Sequence, residues 1–113
     1  MEILNCLKRF PIVVSVEVLA LRTFHKGFFI KLKVILRDRS LLYIREYVDI
    51  EERNYSYHWQ TADGRLIIRW DNAPHHKNIQ TYPHHKHIGN SVMESFEITC
   101  EKILEFIEKE MEG

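Results

Sequence analysis

The chain has 113 residues and a mass of 13.6 kDa, room for one hydrophobic core and no second. With 45% hydrophobic and 28% charged residues but only 4 Gly and 3 Pro, it is no disordered, collagenous or low-complexity chain. Net charge is zero, yet residues 1–90 hold 14 basic against 9 acidic side chains and residues 91–113 hold 2 against 7, a basic body with an acidic tail.

Ile3, Leu4, Leu7 and Phe10 recur at helical spacing and predict a short opening helix, stopped by Pro11. Val14, Val16 and Val18 then alternate with Ser15 and Glu17, a half-buried strand running to about Phe24. After a turn at His25-Lys26-Gly27, Ile30, Leu32, Val34 and Leu36 alternate with Lys31, Lys33 and Arg37 in a second strand. Asp38-Arg39-Ser40 leads into a third, Leu41 to Ile50, and Glu51-Glu52 turns it into a fourth, about Arg53 to Thr61. The fifth runs from Arg65 to about Asp71. A two-residue turn at Asp63-Gly64 sets Tyr57 opposite Trp70 and Trp59 opposite Ile68 on one face. The other face then pairs His58 with Arg69 and Ser56 with Asp71.

Asp71 to Gly89 reads as a long ordered loop with a short strand near His85 to Ile88, and long loops in compact domains are often functional. Cys100, Ile103, Leu104, Ile107 and Met111 form the stripe of a final helix capped by Thr99, its outer face carrying Glu101, Glu105, Glu108 and Glu112. Cys6 and Cys100, 94 positions apart on apolar stripes, read as core thiols rather than a disulfide or metal pair. The fold expected is α+β: a single domain over residues 1–113, an antiparallel meander of five to six strands, a short amino-terminal helix and a carboxy-terminal helix packed on one face. The longest apolar run, Phe10 to Val16, is too short to cross a bilayer, and the amino-terminal end lacks a leader pattern. These features predict a cytoplasmic protein with no membrane partner.

The chemistry-bearing content lies between Tyr55 and His87, which holds six of the 7 His. One reading is a metal site, with His85 and His87 on one face of an extended segment and His75, His76 and Asp71 completing the shell. Against it stands the spacing: there is no HExxH, CxxC or helical i, i+4 His pair. The other is acid–base chemistry on a phosphodiester, which needs a base near neutrality, an acid for the leaving oxygen and a cation on the developing charge. His58 beside Arg69 supplies base and cation. If Glu51-Glu52 is a two-residue turn, Arg45 falls opposite His58 and completes a row of Arg45, His58 and Arg69. The bland alternative is a sheet face whose His and Arg pair with Glu46 and Asp71. Tyr55, Tyr57, Trp59 and Trp70 read as core; Tyr43, Tyr47 and Tyr82 are better placed to contact bases.

The runs YIREYVD, YSYHWQTADGRLIIRWDNAPHH and TYPHHKHIG resemble the TumE-like toxins over most of the chain, from about Val13 to the terminal helix. That resemblance implies the toxin of a type II toxin–antitoxin pair, with ribonuclease activity as its mode of toxicity and a helix-turn-helix antitoxin as its partner. The positions that match are Arg45, Glu46, Tyr57, His58, Trp59, Arg69, Asp71, Asn72, Pro74, His75, His76, Pro83, His84, His85 and His87. Where the family pattern often has Asp-Gly before the third strand, this chain has Asp38-Arg39-Ser40.

The expectation is therefore an endoribonuclease needing no cofactor or metal, with His58 and either His75 or His85 as base and acid. Arg45 and Arg69 hold phosphate, Asp71 orients a histidine, and Glu46 is the substitute base. Tyr47, Asn72, His76, Tyr82, His84 and His87 are expected to bind substrate RNA. The alternatives are a nuclease whose His/Asp cluster holds a divalent metal, and a non-enzymatic binding module. A homodimer is left open.

Overall fold

The computed structural model describes residues Met1–Gly113. Seven strands form one antiparallel sheet whose spatial order is the chain order. They are β1 (Val13–Phe24), β2 (Gly27–Leu36), β3 (Leu41–Val48), β4 (Arg53–Gln60), β5 (Leu66–Asp71), β6 (His85–Ile88) and β7 (Ser91–Glu94). Helices α1 (Glu2–Lys8) and α2 (Cys100–Glu112) pack together against one face. The α+β meander is as expected, with one strand more than the upper count. The additional strand is β7, whose four residues Ser-Val-Met-Glu show no apolar alternation.

Alternation decides which face is buried. Ile30, Leu32, Val34 and Leu36 of β2, Leu42 and Ile44 of β3, Tyr55, Tyr57 and Trp59 of β4, and Ile68 and Trp70 of β5 share the helix side. Ile103, Leu104 and Ile107 of α2 and Leu7 of α1 are fully buried against them, each contributing about 1.5–3 kcal/mol. The Thr99 side chain accepts from the Lys102 N–H at 3.3 Å and caps α2 as expected. Burial also pushes the Cys6 and Cys100 thiols up, keeping them inert core groups.

Two turns differ from expectation. The β4–β5 connection is the three-residue loop Ala62-Asp63-Gly64, with Gly64 at φ +94° and Thr61 N–H donating to the Arg65 carbonyl at 2.8 Å. An irregularity between Trp59 and Gln60 leaves Ile67 without a cross-strand partner and absorbs the difference. Beyond it the predicted register holds: Trp59 faces Ile68, Tyr57 faces Trp70, His58 faces Arg69 and Ser56 faces Asp71.

The β3–β4 connection is longer than two residues. Strand β3 ends at Val48, and the Asp49 carboxylate closes the turn by accepting from the Glu51 and Glu52 N–H groups at 2.8 and 2.9 Å. The register therefore moves by two, placing Tyr43 opposite His58 and Arg45 opposite Ser56. Arg39, the middle residue of the Asp38-Arg39-Ser40 turn, adopts φ +73°. Strand β1 forms an open edge and exposes Val14, Val18, Leu19, Leu21 and Phe24.

Candidate functional site

The face opposite the helices carries the polar half of each alternating strand. Two cross-strand rows organise it: Lys31, Arg45, Ser56, Asp71 and His85 in one, Lys33, Tyr43, His58, Arg69 and His87 in the next. The expected single row of Arg45, His58 and Arg69 is thus corrected to a diagonal, with Arg45 one row over. All three side chains still share the face.

Asp71 is the hub. Its carboxylate is buried, and Oδ1 lies 2.9 Å from His85 Nε2 while accepting from the Ala73 N–H at 3.0 Å. Its Oδ2 accepts from Arg69 Nε at 3.2 Å and lies 3.4 Å from His87 Nε2. The other nitrogen of His85, Nδ1, faces the Pro83 carbonyl at 2.9 Å. His76 folds over both rings, its centroid 4.9 Å from that of His85 and 5.7 Å from that of His87. Asp71 thus sits against two histidine rings and one guanidinium.

Two depressions cross this face. A cleft of about 750 Å³ is lined by Arg45, Tyr47, Arg69, Asp71, Asn72, His75, His76, His85 and His87 among others. A smaller one of about 320 Å³ contains His58, Tyr43 and Lys31. Arg45, Ser56 and Arg69 line both, so the two form one groove with cations at its middle. Arg45 reaches it over the Phe29 ring, 5.2 Å from the centroid.

Arg69 Nη1 lies 3.3 Å from His58 Nδ1. A guanidinium only donates, so Nδ1 accepts and the proton of neutral His58 sits on Nε2. Burial first, and the Arg69 charge second, hold His58 below the ordinary histidine value. His87 is likewise lowered by burial, with Asp71 pulling it back up.

Several expected residues stand elsewhere. Glu46 is buried on the helix side, accepting from Arg53 Nε at 2.9 Å and from the Tyr57 hydroxyl. Parity on β3 turns it away from Arg45, so it cannot replace His58 as base in this groove. His85 lines the cleft but is only 2% exposed, its ring held between Asp71, His76 and His87. His84 stacks on Tyr55 and meets its hydroxyl at 2.9 Å through Nδ1, and with Tyr82 it lines a separate hollow by Glu94, Phe96 and Glu97. Asn72 lines the cleft, but its side chain accepts from Tyr55 N–H at 2.9 Å and donates to the Arg53 carbonyl at 2.6 Å. It thereby ties the start of the loop to β4. Tyr47 donates to Asp49 Oδ2 at 2.8 Å at the mouth. Phe29 and Lys31 line the groove without having been expected there; their place on the same alternation of β2 was the available signal.

A sequence model described as toxin TumE matches residues 3–111. No curated protein and no solved structure matches the chain. No helix is long and apolar enough to cross a membrane.

Proposed function

The chain belongs to the TumE toxin family, and from that premise we propose that it is an endoribonuclease toxin acting by histidine–arginine acid–base chemistry. The observation that carries this reading is the groove whose two depressions share Arg45 and Arg69, with His58 lining one and exposed His75 lining the other. A phosphate bound there draws the Arg69 guanidinium from His58 and frees the Nδ1 lone pair. His58 then takes the 2′-hydroxyl proton as the 2′-oxygen bonds to phosphorus. His75 in its charged form protonates the 5′-oxygen as the P–O5′ bond breaks, leaving a 2′,3′-cyclic phosphate and a 5′-hydroxyl. Arg45 and Arg69 stabilise the added negative charge. Asp71, itself out of reach of RNA, holds Arg69 in place. Depressing the His58 pKa keeps the base neutral at physiological pH.

The proposed partner is a helix-turn-helix antitoxin that inhibits by covering this groove. An acidic segment suits the +5 body, whereas the glutamates on α2 repel RNA.

The test is cleavage of a labelled single-stranded RNA by purified protein. His58→Ala and Arg69→Ala are expected to lower the rate by about 10²–10⁴-fold without unfolding the protein. A 2′-deoxy substitution at the cut site should block cleavage. Full activity in both variants, or 3′-hydroxyl and 5′-phosphate ends, would overturn the mechanism, the latter in favour of a metal-activated water.

A further inference from the structure

The loop histidines do more than line a wall. The metal-binding nitrogens of His76, His85 and His87 lie within 4.8 Å of one another, although the three residues are far from the usual ligand spacings. Strand β6 places His85 and His87 on one face, and the Asn72–His84 loop folds His76 onto them.

His85 supplies the second observation. Its Nδ1 sits 2.9 Å from the Pro83 carbonyl, which requires a donating N–H. That contact fixes the ring with Nε2 turned to the Asp71 carboxylate oxygen at 2.9 Å in a site 2% exposed, where either a proton or a metal ion joins the two. A backbone carbonyl on Nδ1 leaves Nε2 as the nitrogen a metal would take, the arrangement that orients a metal-ligating imidazole.

We propose that His76, His85 and His87, with the Asp71 carboxylate, bind one divalent ion of the zinc class. Three imidazoles and a carboxylate are the borderline-soft and hard donors such an ion takes in tetrahedral form. Bonds of about 2.0–2.1 Å put tetrahedral donors about 3.3 Å apart. Asp71 Oδ1 lies 2.9 Å from His85 Nε2 and Oδ2 lies 3.4 Å from His87 Nε2, so each carboxylate oxygen stands near that separation from one imidazole. Small ring rotations of half-buried His76 and His87 close the remainder. Arg69 shares the same carboxylate and opposes the ion, so the three neutral imidazoles carry most of the affinity. The proton carriers of the proposed reaction, His58 and His75, are not ligands. The ion is a fastener that pins the loop carrying His75 to the sheet, and it stands whether or not the RNA chemistry does.

The experiment uses the full chain without a histidine tag, stripped of metal and titrated with Co(II) and then Zn(II). Expected are one equivalent of Co(II) with the intense visible absorption of a tetrahedral ion, its displacement by Zn(II), and a Zn(II)-dependent rise in Tm. His85 is buried and its loss threatens the fold, so the variants are His76→Gln and His87→Gln. Each should weaken Co(II) binding at least about tenfold and together abolish the Tm response, while His84→Gln and His58→Gln leave both unchanged. Absence of binding, several weak equivalents, or binding that survives His76→Gln with His87→Gln would overturn the proposal. Cleavage is not the readout, so an inactive protein that binds the ion counts against the ribonuclease reading alone.

Discussion

At the scale of single residues, the face is governed by who shares which hydrogen bond. His58 gives its Nδ1 lone pair to Arg69, and Arg69 gives its Nε proton to Asp71. Because burial and then Arg69 depress the His58 pKa, NMR titration of its ring should show a midpoint below 6.5, moving up part of the way in Arg69→Gln. A midpoint at or above 6.5 would remove the basis for His58 as a neutral base. The unfolded chain binds a proton at 6.5 that the folded chain still refuses, so the contribution of neutral His58 is complete above that pH and is lost as pH falls through the folded value. Glu46 makes the contrasting case. It is buried against Arg53 Nε and the Tyr57 hydroxyl, and Glu46→Ala removes both contacts at once while Arg53 keeps the Ile98 carbonyl and Glu97. Urea denaturation should show a loss of about 1–3 kcal/mol, and an unchanged midpoint would mean the pair contributes nothing net.

At the scale of elements, legibility tracked how much each turn reveals of itself. Tyr57 and Trp59 must face Trp70 and Ile68 to bury four aromatic or aliphatic side chains, so that pairing could be read although the loop type was not. Leu42 and Ile44 constrain β3 only to within two residues, since a shift of two keeps the same face inward. The missing information was the Asp49 side chain, which closes a longer turn and moved Arg45 from His58 to Ser56. The histidine cluster was named from composition, but its assembly needed the β5–β6 pairing of Arg69 with His87 and Asp71 with His85, which no local pattern encodes. Strand β7 stayed hidden because a four-residue strand carries too little alternation. The turn at Arg39 yields a direct check. At φ +73° a non-glycine residue is strained, and Arg39→Gly should raise stability by about 1 kcal/mol in chemical denaturation. An unchanged or lower midpoint would show that the Arg39 side chain offsets the backbone strain.

At the scale of the whole molecule, charge and topology act together. The sheet face presents Lys31, Arg45 and Arg69, while α2 on the other side presents Glu101, Glu105, Glu108 and Glu112. If the antitoxin covers the groove, reversing Arg45 and Arg69 should weaken the complex in a titration more than reversing Glu105 and Glu108, and association should slow as salt rises. Equal or opposite sensitivity would put the antitoxin on the helix. The meander has a further consequence, concerning the order in which a ribosome delivers the parts. Each strand pairs with the one made just before it, so the sheet can grow as the chain emerges. Its apolar face, however, waits for α2 at the last residues, and the loop histidines arrive only after five strands are complete. A nascent chain therefore carries no finished groove. The groove is thus completed only once the segment after β5 has been made, later than the sheet that floors it.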